Sequence, residues 1–190
     1  MRVLNVGGGA SRDIPKIFKG WDQDLLDADA SVNPDICCDA KQMNTLPASK
    51  YDAVFCSHTL EHFYRHDVDW VLRGFRHVLK RDGFANVIVP DMMTLIKRMN
   101  ESGADIGDVW YHASGSAITF HDVMYGWHRM MESGNLYYAH KCGFSQKTLN
   151  AALRRAGFAS VRTASDGMGN LFAFAFKSKP SAEKLRRLGC

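Results

Sequence analysis

The chain of 190 residues has no long hydrophobic run. A membrane-spanning helix needs ~18–20 consecutive apolar residues, and no stretch approaches that length. The residues after Met1 lead almost directly into glycines, which leaves no room for the apolar region of a signal peptide. We therefore expect neither a membrane anchor nor secretion, and we predict a cytoplasmic protein.

The cysteines lack the spacing of a metal site or a disulfide scaffold. There are five of them, and Cys37 and Cys38 are adjacent. Zinc fingers and ribbons need separated pairs of cysteines, and secreted disulfide scaffolds need an even number. We interpret these residues as buried thiols in strands.

The charge is nearly balanced, with 24 basic and 20 acidic residues and a formal net charge of +4. This excess permits an anionic substrate, but no basic patch with interleaved aromatic residues indicates a nucleic-acid partner. Part of the excess lies near the C-terminus, where we expect a flexible basic tail over residues 178–190. The length suits a single domain over residues 1–190.

Strands and helices alternate along the sequence. Strands are predicted at residues 2–6, 24–29, 35–38, 51–57, 84–89, 158–163 and 171–177, and helices from about residue 59, over 68–80, from 92 to about 101 and over 145–156. This order predicts an α/β fold, a parallel sheet with helices on both faces. The last two strands read as an antiparallel hairpin. Residues 102–143 are too many for a structureless loop, so we predict a lid-like insertion with short helices.

Ligands of such sheets bind at the carboxyl ends of the strands. Gly7, Gly8 and Gly9 follow the first strand, and glycines allow a tight turn and a close approach of backbone to ligand. The amides of a helix after the loop would then point at the ligand. The loop is predicted to bind a nucleotide cofactor; a tight turn without a ligand is the alternative.

Acidic residues follow the next two strands. Asp27 lies 18 residues after Gly9, where a carboxylate can accept both hydroxyls of a ribose, and Asp29 is its rival. After the third strand, Asp39 can accept from an exocyclic amine and the Ala40 amide can donate to a ring nitrogen, as adenine requires. A turn or helix cap is an equal alternative for Asp39.

The fourth strand ends in Ser-His-Thr-Leu-Glu-His, residues 57–62. His58, Glu61 and His62 have the spacing of an inverted zinc-protease motif. We reject that interpretation because the motif lies behind a cofactor loop and the sequence offers no convincing third ligand. We predict no metal; Ser57 and His58 should lie over the cofactor, while Glu61 and His62 stabilise the next helix.

Several segments match the motifs of one enzyme family: residues 4–9 (LNVGGG), 26–29 (LDAD), 38–40 (CDA), 51–62 (YDAVFCSHTLEH), 79–83 (LKRDG), 140–145 (HKCGFS) and 156–158 (AGF). Through these segments nearly the whole chain resembles the class I S-adenosylmethionine-dependent methyltransferases, especially the small bacterial type 11 kind. Residues 51–62 are the most specific part of the resemblance.

The resemblance implies a Rossmann-like, seven-stranded, mostly parallel sheet with the last strand antiparallel. It implies S-adenosylmethionine as the cofactor, with the glycine loop on its methionine part. The cofactor-binding residues would be Asn5, Gly7, Gly8, Gly9, Asp27, Ala28, Asp39, Ala40, Ser57 and His58. Two features depart from the family. Asn5 stands where an acid is usual, and the chain begins at strand one without the helix that many members place before it.

Methyl transfer is an in-line displacement, so the enzyme mainly positions the nucleophile and can deprotonate it. We predict candidate catalytic residues in the insertion and at the end of strand four. His121 could act as general base because imidazole titrates near neutral pH, with Tyr125 and His58 beside it. A helix cap or polar packing is the alternative for His121.

The sequence thus predicts a methyltransferase acting on a small molecule or glycan precursor. Three alternatives stay open: an RNA or protein methyltransferase, a non-catalytic protein that binds the cofactor and a partner, and an NAD-binding protein. The C-terminal hairpin and Asp39-Ala40 fit the methyltransferase better than a dehydrogenase. An open site without its N-terminal helix is compatible with a homodimer.

Overall fold

In the computed structural model, which describes residues 1–113 and 115–189, a seven-stranded sheet organises the chain. The strands are β1 (Arg2–Val6), β2 (Asp22–Asp27), β3 (Ile36–Cys37), β4 (Tyr51–Ser57), β5 (Leu79–Pro90), β6 (Val109–Ala113), β7 (Ser116–Thr119), β8 (Ser160–Ser165) and β9 (Asn170–Phe176). The helices are α1 (Arg65–Val78), α2 (Met92–Ser102), α3 (Phe120–Tyr125), α4 (His128–Glu132), α5 (Gln146–Arg155) and α6 (Ala182–Leu188). Short 3-10 helices cover Lys16–Phe18, Ala30–Val32, Ala40–Thr45, Leu60–His62 and Leu136–Tyr138.

The strand order in the sheet is β3-β2-β1-β4-β5-β9-β8. The first five of these pair in parallel, and β9 runs antiparallel to both β5 and β8. The predicted fold, with one antiparallel strand, is confirmed. The remaining strands, β6 and β7, form a separate hairpin inside the predicted insertion, followed by α3 and α4. That the insertion closes over the site as a lid stays a prediction.

Both faces of the sheet are buried, as the apolar run in β4 requires. Val54 and Cys56 point into one core, which α1 and α5 cover. Ala53 and Phe55 point into the other core, where the centroid of the Phe18 ring lies 5.9 Å from that of Phe55 and 6.0 Å from that of Phe84. Side chains alternate across a strand, so one sequence run fills two cores.

The connection from β1 to β2 differs from the prediction. We expected an α-helix after the glycine loop, but only the 3-10 helix Lys16–Phe18 is present there. Consecutive glycines disfavour a helix, and Gly7 and Gly9 have φ values of 70° and 59°, outside the right-handed helical region. The amides facing a ligand at this edge therefore belong to the loop itself.

The C-terminal segment also differs from expectation. Residues 182–188 form α6, which begins at Ser181, whose side chain accepts a hydrogen bond from the Lys184 amide, and ends at Gly189. Leu185 and Leu188 lie three residues apart and pack against the second core. The basic residues thus lie on a helix rather than on an unstructured end.

The cysteines differ in part from expectation. Among the described cysteines only Cys56 is buried, while Cys37 is exposed, so the interpretation as buried thiols is wrong for Cys37. None of the helices in the described part of the chain is long and apolar enough to cross a membrane.

A charge network around the buried Asp24 carboxylate joins β1, β2 and β4. The Asp24 carboxylate accepts from Arg2 (2.5 Å) and from the Tyr51 hydroxyl (2.6 Å), and Lys50 lies 3.0 Å away. Burial alone would raise the pKa of Asp24, but these donors outweigh it and lower the pKa to about 2 from an ordinary value of 3.8. Burial, together with the hydrogen bond to this carboxylate, raises the pKa of Tyr51.

Replacing Asp24 by asparagine should therefore cost about 2 kcal/mol of unfolding free energy near neutral pH. A carboxyl whose pKa is lowered on folding stabilises above its unfolded pKa, and that stability is lost as the pH falls from about 4 toward 2. Urea unfolding across this range should show a shallower pH dependence for Asp24→Asn than for the wild type. Asp22→Asn, an exposed neighbour in β2, is the control; an equal loss there would contradict the prediction.

Candidate active site

The glycine loop leaves β1 at the centre of the sheet. The Gly7 amide donates to the Leu26 carbonyl oxygen at 2.8 Å, which ties the loop to the end of β2. A β-carbon on Gly8 would lie 2.6 Å from the buried Asn5 amide nitrogen, whereas a β-carbon on Gly9 would meet nothing within 4 Å. The loop is thus packed against the sheet at Gly7 and Gly8 and faces open space at Gly9.

Asp27 stands at the end of β2 and faces this loop. Its two carboxylate oxygens accept from the Gly9 amide and the Asp29 amide, both at 3.0 Å. A carboxylate has about four acceptor positions, so Asp27 retains capacity for further donors. Asp29, the alternative candidate for binding the ribose, accepts from the Ser31 amide and caps the next 3-10 helix. Ala28 lies exposed between them.

Asp39 and Ala40 follow β3. The Asp39 carboxylate accepts from the Lys41 amide at 2.9 Å and begins the 3-10 helix Ala40–Thr45. The Lys41 ammonium group lies 3.6 Å from its other oxygen. The helix-cap alternative is therefore present in the structure, and an additional adenine contact stays a prediction. Ala40 is buried beneath it.

The end of β4 lies beside the glycine loop. His58 has φ of 50°, a left-handed conformation that is uncommon outside glycine. The Thr59 hydroxyl lies 3.2 Å from the carbonyl oxygens of both Val6 and Gly7. Sequence reasoning missed Thr59, although it lies within the motif of residues 51–62. Through Thr59, Ser57 and His58 are held next to the loop.

Glu61 and His62 do more than stabilise the following helix. They lie in the 3-10 helix Leu60–His62, and His140 from the far end of the insertion lies against them. The Lys141 and Cys142 amides both donate to the Glu61 carbonyl oxygen, at 2.8 and 3.2 Å. The sequence motif at 140–145 and the motif at 57–62 therefore form one cluster.

The histidines of this cluster differ in their surroundings. Burial lowers the pKa of His140, and this effect outweighs the nearby Glu61 carboxylate. For His58, burial acts in the same direction, but Glu61, whose carboxylate lies 3.5 Å from its ring nitrogen, raises the pKa overall. Of the two side chains, His140 therefore loses its proton at the lower pH.

A cavity of about 570 Å³ opens above this cluster. His58, His62 and Pro90 contribute from the sheet edge, and Met168, Gly169 and Asn170 from the turn between β8 and β9. The insertion contributes Trp110, Tyr111, Ile118, Asp122, Val123, Trp127, Tyr138 and His140. A concave, mostly apolar cavity of this size with a few polar groups suits a small organic molecule.

His121 and Tyr125 do not line the cavity. Both are exposed, and their rings contact each other at 4.9 Å between centroids. The reason is the start of α3, where Thr119 and Asp122 form a reciprocal capping box that turns Asp122 inward. One helix position corresponds to about 100°, so His121 points outward. The prediction that His121 and Tyr125 lie at the reacting groups is not supported by this geometry.

Asp122, the neighbour of His121 in the sequence, is buried. It accepts from Thr119 and from the His128 ring nitrogen, the latter at 2.5 Å. Burial would raise its pKa, but the hydrogen bonds from His128 and Thr119 hold the pKa well below its usual range. Its position could have been recognised from Thr119-x-x-Asp122, the spacing of a helix cap.

Comparison with known protein families agrees with this geometry. A family model described as a methyltransferase domain matches residues 21–87. The match runs from just before β2 into β5, so it includes Asp27, Asp39 and residues 57–62 but not the glycine loop. No curated protein sequence matches the chain.

Several solved structures share the fold. A SAM-dependent methyltransferase from Archaeoglobus fulgidus superimposes with a TM-score of 0.61 at 15% identity, over 93% of this chain and 86% of its own. One from Aquifex aeolicus gives 0.58 at 15% identity, over 94% and 82%. The 1,6-didemethyltoxoflavin-N1-methyltransferase of Burkholderia thailandensis, solved with 1,6-didemethyltoxoflavin and S-adenosylhomocysteine, gives 0.57 at 15% identity, over 94% and 71%. At this identity the likeness concerns the fold.

Proposed function

We propose that the chain is a class I S-adenosylmethionine-dependent methyltransferase and that it transfers a methyl group from that cofactor to a small-molecule acceptor. The methyltransferase-domain match over residues 21–87 and the shared fold support this proposal. The observation that carries the proposal is the junction at residues 57–59. This junction lies between the glycine loop on one side and the cavity of about 570 Å³ on the other. A donor and an acceptor would meet there.

The residues at the ends of β1 and β2 fit the cofactor. The open space beside Gly9 lets an extended ligand approach the loop amides, while Asp27 keeps acceptor capacity toward the same side. When bound, S-adenosylmethionine supplies an electrophilic methyl group on a sulfonium. Asp27 is assigned to the ribose hydroxyls, the glycine loop with Asn5 to the methionine part, Ala28 to the ribose side, and Asp39 with Ala40 to the adenine.

Asn5 bears on how the amino end of the cofactor is held. It is 2% exposed, lies under Gly8 and carries no charge. A buried carboxylate here would need compensation for its desolvation, which the neutral Asn5 amide does not. We therefore assign the cofactor amino group to carbonyl oxygens of the loop, which Asn5 supports from beneath, rather than to an ion pair with the residue at position 5.

The acceptor is assigned to the cavity. Its walls include Trp110, Tyr111, Trp127 and Tyr138, which suit a planar or partly apolar molecule. The Burkholderia neighbour was solved with a flat heterocycle, and a ligand of that class agrees with these walls. An RNA or protein acceptor is less compatible with a concave cavity of this size, lined in part by the insertion. His58 lies at the junction and is the predicted catalytic candidate that contacts the cavity.

Isothermal titration with S-adenosylhomocysteine, followed by incubation with labelled S-adenosylmethionine, tests the proposal. The purified chain is expected to bind the product analogue tighter than millimolar and to label the small-molecule fraction of a cell extract. Separate RNA, protein and metabolite fractions distinguish the acceptor classes. Label in the protein or RNA fraction alone would overturn the small-molecule acceptor, binding without any label would indicate a non-catalytic protein, and no binding would overturn the proposal altogether.

A further inference from the structure

We propose that Glu61, His62 and His140 form a binding site for one divalent transition-metal ion of the zinc class at the floor of the cavity. One carboxylate oxygen and one nitrogen from each ring all lie within 4.8 Å of one another. Two histidines and one glutamate are a ligand set that zinc accepts in catalytic sites with an open fourth position. The site is independent of the cofactor assignments above.

Glu61 is the first argument for an ion. The side chain is 1% exposed, and within residues 1–113 and 115–189 neither carboxylate oxygen accepts a hydrogen bond. Taking a carboxylate out of water without hydrogen bonds is costly, so buried charges are normally paired or bound to metals. Its nearest ion-pair contact is His58, at 3.5 Å. A cation between the carboxylate and the histidines would give this buried charge a partner.

His140 has the arrangement of a metal ligand. Its Nδ1 lies 2.9 Å from the Val123 carbonyl oxygen, which can only accept. In the neutral ring, Nδ1 donates to this oxygen and Nε2 presents a lone pair. Histidines that bind metals commonly donate their second N–H to a backbone carbonyl in this way, which fixes both the tautomer and the ring orientation.

His62 also has carbonyl partners, and they explain how it can bind. Nδ1 lies 3.0 Å from the Ala139 oxygen and Nε2 lies 3.1 Å from the His58 oxygen. With Nδ1 donating to the Ala139 oxygen, Nε2 can bind an ion in place of its contact with the His58 oxygen.

The backbone holds the ligands together without help from an ion. The Lys141 and Cys142 amides donate to the Glu61 carbonyl, and the His140 amide donates to Tyr125 at 3.0 Å. The third ligand that the sequence alone could not supply is therefore delivered by the return of the insertion to the sheet. His62 and His140 line the cavity, so an open coordination position of the ion would face the acceptor. The ion could then polarise an oxygen or nitrogen atom of the acceptor.

Cobalt(II) titration of the chelator-treated full chain tests the site. We expect one equivalent to bind with a visible absorption band typical of low coordination number, and zinc to displace it. His140→Gln and Glu61→Gln should each weaken cobalt binding by at least ~100-fold, because each removes one of three ligands. Circular dichroism and thermal unfolding show whether each variant folds. His121→Gln, an exposed histidine of the same insertion, is the matched control.

Three results would overturn the proposal. The first is no binding of cobalt or zinc tighter than millimolar by the folded wild-type protein. The second is unchanged binding in folded His140→Gln. The third is loss of binding on replacing Cys37 and Cys38 by serine instead, which would place the ion at the exposed thiols. These readouts need no methyl transfer, and S-adenosylhomocysteine affinity measured on the same samples separates failure of this site from failure of the proposed function.

Discussion

Asp27→Ala is expected to weaken S-adenosylhomocysteine binding by ~100-fold or more, as measured by isothermal titration. Each hydrogen bond from a ribose hydroxyl to a charged acceptor is worth ~1.5–3 kcal/mol, and two of them are assigned to this carboxylate. The side chain also fixes the loop on which the ligand would lie, through the Gly9 and Asp29 amides. The substitution therefore removes both a direct contact and the preorganisation of the loop.

Asp29→Ala is the matched control for this prediction. Asp29 is the neighbouring acid, but its carboxylate accepts from the Ser31 amide at 2.9 Å and begins the next 3-10 helix. Its replacement should change the affinity for S-adenosylhomocysteine by less than about threefold, because it removes a helix cap and no assigned ligand contact. Asp27→Asn, which keeps one oxygen acceptor, should fall between the two. If the loss follows Asp29 and spares Asp27, the ribose assignment is wrong.

Gly7→Ala should reduce both stability and cofactor affinity. The backbone at Gly7 has φ of 70°, and an added β-carbon would lie 2.2 Å from Cγ2 and 2.9 Å from Cβ of Thr59. The Thr59 backbone cannot withdraw easily because its hydroxyl contacts the carbonyl oxygens of Val6 and Gly7. Overpacking together with left-handed strain should cost ~2–4 kcal/mol in urea unfolding.

Gly9→Ala separates the two causes. Gly9 also has a positive φ, 59°, but no atom lies within 4 Å of an added β-carbon. It should therefore lose only the ~1 kcal/mol of backbone strain. Thr59→Ala added to Gly7→Ala removes two of the three closest atoms and should recover part of the lost stability. Equal losses at Gly7 and Gly9, with no recovery, would show that the contact with Thr59 is unimportant.

The sequence predicted best where the pattern is local. β1 and β4 have the predicted bounds, because short apolar runs between turn residues are unambiguous. α5 starts just after Ser145, as predicted, because the side chains of Ser145 and Thr148 form a capping box there. Asp27 could be located because the spacing from the glycine loop reflects one connection between adjacent strands.

The rest depends on contacts that local patterns do not encode. The helix expected after β1 is absent because Gly7 and Gly9 adopt left-handed conformations. Glycine populates positive and negative φ about equally, so the sequence alone does not predict which sign a given glycine has. The outward position of His121 is decided by the capping box one residue later. His140 comes next to Glu61 only through the backbone bonds of Lys141 and Cys142, 80 residues away in the chain.

The place of β9 in the sheet has a consequence for synthesis of the protein. β9 is the last strand in the chain, yet it lies between β5 and β8 and pairs with both along its length. During translation, the apolar edge of β5 stays without its partner until residue 176 has left the ribosome. Unpaired edges of this kind promote association between nascent chains. Shortening the chain before β9 should therefore favour aggregation over a smaller folded domain.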